Sequence, residues 1–500
     1  MKILLVYPRY PDTFWSFKHI LKFIGKKAAF PPLGLLTVAA MLPNDWEIRL
    51  VDVNVKPLLD KDILQADMIF ISAMVIQKTS AQEIIDRCKE HGKTVVAGGP
   101  AFTAESEKYH SVSHFVLGEA EITLPLFLSD LEKGKAKFKY EQPVGVWADL
   151  SQTPIADWSL IDLKDYATMS IQFSRGCPLG DINGDSCEFC DIYILFGTKF
   201  RSKTPQQMIN EIESLYQAGY RGTIFLADDN PIGNKLRFKE MLEQLIIWQQ
   251  AHNYPFKFTA QASINLAVED KIMDLMVRAN FSGVFIGIES PDTAALISIG
   301  KVVNIKYDLE DAVKRIMAKG LEVMGGFMVG LDGDPPNIFD KLIIYIKQTG
   351  IVQSMVGLLV AMPKTKLYKR LMNEGRLIGD TDGDNLSGSL NFVPKMGREK
   401  LLAGYRRVLA VIYSSSKTYF KRVDTFLKQC PTKTRGHFSW SDLRPFILSI
   451  WHIGLFSRAR WYYWRLLIKT GITNYKSYPR AITMAIYWLH FSKIAASIQK

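Results

Sequence analysis

Residues 174–178 read Ser174-Arg175-Gly176-Cys177-Pro178, and residues 187–191 read Cys187-Glu188-Phe189-Cys190-Asp191. Three of the five cysteines in a 500-residue chain thus fall within 14 residues, with Cys88 and Cys430 far away. That arithmetic suits a metal site better than a disulfide framework. Three thiolates bind three irons of a cubane 4Fe–4S cluster and leave the fourth iron open for chemistry. Zinc held by three cysteines and a histidine is the competing metal reading, although no histidine lies close in sequence. Three unliganded cysteines on a loop are the third reading that this spacing allows.

The segment follows an apolar run at 169–174, the first of six such runs. The others are 223–227, 256–261, 283–287, 323–330 and 355–361, with helical patterns between them. One of these patterns, 205–217, opens with Thr204 as N-cap and Pro205 in its first turn. Six strand–helix pairs predict a partial (β/α)6 barrel, with the chemistry at the carboxyl ends of its strands. Before it, runs at 3–7, 48–53, 68–73, 94–97 and 114–117 alternate with helical patterns at 34–41, 81–91 and 121–132. This predicts an α/β, doubly wound, Rossmann-like sheet, whose ligands lie in the loops after the strands. Those loops carry Pro8-Arg9, Ser72-Ala73-Met74 with Gln77 beyond, Gly98-Gly99-Pro100, and Gly118-Glu119. No G-x-G-x-x-G follows the first strand, which argues against a dinucleotide. The expected units are an α/β ligand domain at 1–140, a linker at 141–167, the partial barrel at 168–365 and a helical C-terminal region at 366–500.

Composition is globular, with 48% hydrophobic and 22% charged residues. It excludes a disordered chain, a collagen and a many-pass membrane protein. The opening run Met1–Tyr7 ends at Pro8, too short for a signal peptide, so the reducing cytoplasm is the expected compartment. Charge is uneven. Residues 395–500 hold 20 Lys and Arg against 3 Asp and Glu, whereas residues 1–394 hold 42 against 47. Five of ten tryptophans also lie in this last stretch. Two apolar stretches, 446–457 and 481–492, are each 12 residues long and bracketed by cations. Neither reaches the roughly 20 residues needed to span a bilayer. Peripheral docking on an anionic membrane surface fits this pattern, as does a helical domain packed on the barrel. No recognised nucleic-acid-binding fold or stacking platform appears, so nucleic acid is not an expected partner.

The cysteine segment resembles the cluster motif of radical S-adenosylmethionine enzymes, and more narrowly of those with an N-terminal cobalamin-binding domain. The resemblance extends over nearly the whole chain. It takes in Phe30-Pro31-Pro32-Leu33-Gly34, Gly98-Gly99-Pro100, Ala227-Asp228-Asp229-Asn230, Phe285-Ile286-Gly287-Ile288-Glu289-Ser290 and Gly325-Gly326-Phe327-Met328-Val329-Gly330. The hopanoid methylase-like group is the nearest in pattern. The resemblance implies three cofactors: a 4Fe–4S cluster on Cys177, Cys187 and Cys190, S-adenosylmethionine, and cobalamin. It places Phe189 near the adenine, and Asp228, Asp229 and Asn230 where the methionine amino group is held. Glu289 falls where ribose or methionine contacts arise, and Gln261 is assigned with these as cofactor-binding. Ser72, Met74, Gln77, Gly98, Gly99, Gly118 and Glu119 are the corresponding candidates on the corrinoid side. No D-x-H-x-x-G occurs in 1–140, which implies a cobalt without a histidine beneath it.

The implied activity is methyl transfer to an unactivated carbon of a small, apolar, isoprenoid or hopanoid-like lipid. It would be driven by a one-electron reductant such as a flavodoxin or ferredoxin. A radical enzyme that oxidises, cyclises or rearranges without methyl transfer, and a non-catalytic corrinoid- or lipid-binding protein, are the alternatives. One departure stands out. Nine residues separate Cys177 from Cys187, where the family has three. The added residues are polar and turn-forming, and closing a threefold longer loop costs only about 1 kcal/mol.

Overall fold

A computed structural model describes residues 1–180, 187–435 and 443–499. The polar insert at 181–186 lies outside the described residues, as do Trp440 and Asp442. Six parallel strands make the first sheet: β1 (Lys2–Tyr7), β2 (Glu47–Asp52), β3 (Met68–Ser72), β4 (Thr94–Gly98), β5 (His114–Leu117) and β6 (Lys139–Glu141). Their order is β2-β1-β3-β4-β5-β6. The continuous apolar run Ile3–Val6 follows from burial of both faces. Ile3 and Leu5 pack with Leu36 and Phe127 on one side, while Leu4 and Val6 pack with Ile85 and Phe102 on the other. Strand order reverses between β1 and β3, so a ligand crevice opens there, beyond the strand ends. β6 was not expected. Its Lys139 and Glu141 face solvent and only Tyr140 is buried, so no apolar run announces it.

The connection to the second sheet is built from three single 3-10 turns. Asp149, Asp157 and Asp162 each start one by accepting a hydrogen bond from the backbone two residues ahead. Eight further strands follow: β7 (Thr168–Ile171), β8 (Ser174–Arg175), β9 (Arg201–Ser202), β10 (Thr223–Leu226), β11 (Lys257–Ala262), β12 (Phe281–Glu289), β13 (Glu322–Val329) and β14 (Ser354–Leu358). β7 and β10 to β14 form one parallel sheet in sequential order, with β7 and β14 as its two edges. The six strands are those expected, and the sheet does not close on itself. Helices Pro205–Gln217, Lys235–Ala251, Asp270–Arg278, Leu309–Ala318 and Ile338–Thr349 lie between them. The Thr204 capping box and Pro205 start the first of these as the sequence suggests. β8 and β9 pair antiparallel beneath the cysteine segment.

The C-terminal region is helical and packs on the helices Leu309–Ala318 and Ile338–Thr349 of the second sheet and on the N-terminal segment Phe14–Leu21. Its last helix, Tyr478–Ile498, contains the apolar stretch 481–492 and is longer than that stretch. Extended to Tyr475, it is long and apolar enough to cross a bilayer by length and composition, contrary to the expectation from the 12-residue run. Half of it is buried inside the protein, where Met484, Phe491 and Ile494 join the main core. The other apolar stretch begins in helix Leu443–Ser449 and continues as a π-helical segment, Ile450–Leu455.

Candidate active site

The turn from Cys187 to Cys190 closes by a Cys190 N–H to Cys187 O bond. It is clamped from two sides. Glu188 N–H donates to Ile299 O, Glu188 O accepts from Leu367 N–H, and the Glu188 carboxylate takes two bonds from Arg370 at 2.9 and 2.8 Å. Such a bidentate pair fixes orientation as well as position. All three cysteines are half-buried, and burial pushes their thiols up. Lys301 opposes that shift at each of them. Its ammonium lies 3.0 Å from Glu289 Oε1 and 5.9 Å from the Phe189 ring centre. Burial alone would lower Lys301, but Glu289 and the facing thiols outweigh it and hold the ammonium above its ordinary range. Three soft sulfur groups beside one half-buried cation fit an iron–sulfur cluster. Among the described residues no three His, Cys, Asp or Glu side chains converge on one point, as a closed single-ion site requires.

Glu289 ends β12 in the left-handed region at φ +64°, next to a register shift against β13. For a residue with a Cβ this is stored strain of the kind that marks functional positions. At the neighbouring strand end, Asp228 turns out to hold the chain itself. Its Oδ1 accepts from Phe173 N–H at 2.8 Å and its Oδ2 from Ser174 Oγ at 2.5 Å. It is 1% exposed, and burial pushes its carboxyl up to about 7. Asp228 therefore anchors the entry to the cysteine segment and does not present a free oxygen to a cofactor. Asp229 uses Oδ2 to accept from Gly176 N–H, and burial raises it to about 6. Asn230 Nδ2 is buried without a partner, a donor that a bound ligand would satisfy.

On the corrinoid side a cleft of about 340 Å³ opens over the ends of β3, β4 and β5. Ser72, Met74, Gly98, Gly99, Gly118 and Glu119 line it, with Arg175 and Phe196 from the barrel side. Gly99 has φ +92° and ψ −179°, and a Cβ there would stand 2.5 Å from Ser72 Oγ. The lack of a side chain lets the β4 loop lie directly against the end of β3 at Ser72 and Ala73. Among the described residues no histidine lines the cleft. Two of the candidates are engaged within the chain. Gln77 is fully buried, donates from Nε2 to Pro8 O at 2.5 Å and accepts from Met74 N–H at 2.8 Å, so it braces the loop from behind. The Glu119 carboxylate accepts from Arg175 at 2.8 Å, from Arg201 at 2.9 and 3.0 Å, and from Ala148 N–H at 2.8 Å. It is a tie between the first sheet and the β8–β9 hairpin. Glu121 reinforces it on Arg175 at 2.8 and 3.1 Å.

The sequence reading missed Arg175, Arg201 and Lys301. Arg175 sits inside the quoted motif, and its charge beside a metal segment was an available signal. Lys301 follows helix Thr293–Ser298 and lies more than 100 residues along the chain from the cysteines whose thiols it influences, and no local pattern reports that.

Residues 27–128 match the B12 binding domain model, residues 171–346 the radical SAM superfamily model, and residues 365–500 a domain of unknown function. The chain is 37% identical over 500 residues to an uncharacterized methyltransferase of Synechocystis sp., covering 98% of this chain and 91% of that one. It is 32% identical over 493 residues to the hopanoid C-2 methylase of Rhodopseudomonas palustris, covering 95% and 90%. Among solved structures it resembles the cobalamin-dependent S-adenosylmethionine radical enzyme OxsB, at TM-score 0.62 and 16% identity over 100% of this chain and 80% of that one. It also resembles the methyltransferase TsrM of Kitasatospora setae, at TM-score 0.59 and 14% identity over 97% and 99%. These matches and the paired sites place the chain in the family of cobalamin-binding radical S-adenosylmethionine enzymes. Within that family it is a methyltransferase acting on a small molecule, with a 4Fe–4S cluster, S-adenosylmethionine and cobalamin as its cofactors.

Proposed function

We propose that this methyltransferase acts on an unactivated carbon of a neutral isoprenoid, hopanoid-like lipid. The observation that carries the reading is the near full-length similarity to the hopanoid C-2 methylase. The bound groups supply a carbon radical and a transferable methyl group; the chain supplies placement and exclusion of water. Cys177, Cys187 and Cys190 hold the cluster, with Lys301 favouring their thiolate forms. Phe189, Asp229, Asn230, Gln261 and Glu289 hold S-adenosylmethionine. Ser72, Met74, Gly98, Gly99 and Gly118 hold cobalamin. The functional units are 1–140 for cobalamin, 168–365 for the radical chemistry and 366–500 for the C-terminal region, joined through 141–167. A cytoplasmic flavodoxin or ferredoxin delivers the electron.

A membrane-facing surface goes with a lipid substrate. Helix Arg460–Thr473 exposes Trp461, Arg465, Ile468 and Ile472 at helical spacing, along one stripe. The preceding segment exposes Ile447, Trp451 and Leu455 four residues apart. Arg444, Arg458, Arg460 and Lys476 flank them along the chain, and no Asp or Glu occurs from Leu443 onward. Interfacial aromatics with cations and no opposing carboxylates suit an anionic lipid surface.

The test is anaerobic reconstitution followed by incubation with deuterated-methyl S-adenosylmethionine and a membrane lipid extract. Label is expected on a polycyclic isoprenoid, and Cys177→Ala should lose both iron and label. Deoxyadenosine release without label on any lipid would replace methylation of lipids by another reaction. Sedimentation with phosphatidylglycerol vesicles, but not with phosphatidylcholine vesicles, should be lost in Trp451→Ser/Trp461→Ser. Equal binding to both lipids would remove the membrane surface from the reading.

A further inference from the structure

We propose that a second cavity, between Met74 and β14, is where the substrate lies. We infer that it takes an uncharged, rigid hydrocarbon and that the C-terminal region shapes it by holding the Phe14–Trp15 turn. The chemistry done there rests on the methylase reading; the binding site does not. The cavity measures about 400 Å³ and is walled by Phe14, Trp15, Ile76, Ile192, Met355 and Leu386, among others. Met74, Pro100 and Leu195 line both this cavity and the corrinoid cleft. Asp191, next to the cluster-binding Cys190, lines it from the other side. A molecule in this space therefore has both reagent sites as walls.

Among the described residues the wall contains no Lys, Arg or His, and its polar side chains are Thr13, Asp191 and Asn385. A diphosphate or carboxylate placed here would be stripped of water with no counter-ion, and Asp191 would repel it. The corrinoid cleft is the opposite case, with Arg175 and Lys203 in its lining. The apolar wall recognises shape, and the exposed Asn385 offers one polar contact.

Both ends of the cavity are set by residues from beyond the barrel. Gly383 lies so close to the Val75–Gln77 turn that a Cβ would stand 3.0 Å from Ile76 N, and Leu386 follows it into the wall. Across the space, His490 on the last helix donates from Nε2 to Phe14 O at 3.0 Å. Burial lowers His490 to about 4, so it stays neutral in this role. The Phe14 ring rests on Tyr413 at 5.8 Å and Phe491 at 5.7 Å. Phe17, at φ +48°, is wedged against Tyr487, His490 and Phe491. With its neighbours held, Trp15 extends the other way and meets Phe285 of β12 edge-on at 4.9 Å. His490 is thus a positioning residue for a turn that it joins across nearly the whole length of the chain.

The experiment uses the full-length protein without S-adenosylmethionine or reductant. Dehydroergosterol, a neutral fluorescent polycycle, is the probe, read by its own anisotropy. Geranylgeranyl diphosphate and protoporphyrin IX are anionic competitors. Saturable sterol binding is expected, with both competitors at least tenfold weaker. Leu386→Trp, which fills the cavity, should weaken the sterol at least tenfold. His490→Ala should weaken it severalfold while cobalamin retention stays at the wild-type level. Trp15→Leu, at a partly exposed position, reads the same wall if Leu386→Trp does not fold. Wild-type affinity in both Leu386→Trp and Trp15→Leu, or tighter binding of either anion, overturns the proposal. Loss of lipid methylation with sterol binding intact would count against the proposed function and leave this site standing.

Discussion

Replacing Glu119 with alanine removes the carboxylate on which the corrinoid sheet and the cysteine-bearing hairpin meet. Its side chain is fully shielded from solvent and accepts bonds from Arg175, Arg201 and Ala148 N–H. Deleting one partner of a buried ion pair costs about 3–5 kcal/mol, because the remaining charge is left without compensation. Here the loss falls at the lower end. Arg175 keeps Glu121, and Arg201 keeps the carbonyls of Ala148 and Phe196, both at 2.8 Å. About 3 kcal/mol corresponds to roughly a hundredfold change in the opening equilibrium of the β8–β9 hairpin. Hydrogen exchange of the metal-free, corrinoid-free protein measures that equilibrium at the amides of 174–176 and 201–203. Glu119→Ala should speed exchange there by about two orders of magnitude, and Glu121→Ala by less. If exchange stays within about threefold of wild type while cobalamin affinity collapses, Glu119 acts on the cofactor and the tie is the wrong account.

Three further outcomes follow from the geometry. Asp228 binds its proton more tightly when folded, so between about pH 4 and 7 the native state carries a proton that the unfolded chain has lost. Wild-type stability should therefore fall with rising pH across that window, by about 1.4 kcal/mol for each pH unit. Asp228→Asn should flatten that part of the curve in urea titrations, and a parallel pH dependence in both proteins would refute the assignment. Lys301→Gln removes the cation that favours all three thiolates, so alkylation of the metal-free protein by iodoacetamide at pH 8 should slow, most clearly at Cys187; an unchanged rate would mean that the ammonium does not face the thiols. Gly99→Ala forces a side chain into a backbone region that is essentially confined to glycine, at a cost of about 1–3 kcal/mol. It should lower the urea midpoint and weaken cobalamin retention, and an unaltered midpoint would show that the loop conformation is misread.

What could be read from the linear chain was what is local. Ile3–Val6 announces a strand because both of its faces are buried, whereas β10 and β11 alternate buried with half-buried residues. Cys177, Cys187 and Cys190 are already grouped in the sequence, within 14 residues. The positions at strand ends were also legible, since topology alone sends them toward the site. What could not be read was whether their polar atoms were already engaged by the chain. Gln77 meets Pro8 across 69 positions, Asp228 meets Ser174 across 54, and Glu119 meets Arg175 and Arg201 across 56 and 82. A glutamate after a strand looks the same from its neighbours whether it faces a cofactor or two arginines. β6 escaped for another reason: with one buried residue of three, it has no period to detect.

In a closed barrel, strand number and tilt set the bore, and a change of bore disturbs every strand pair. The sheet here stops at β7 and β14, so no such constraint couples the width of its mouth to its hydrogen-bond ladder. Segments around Trp15 and Leu386, which belong to neither edge strand, supply the missing side. A family built this way can fit molecules of new girth by exchanging its tail, while the strands that carry the reagents stay in register. Chimeras that swap residues 365–500 between such enzymes should therefore inherit radical competence from one parent and size preference from the other.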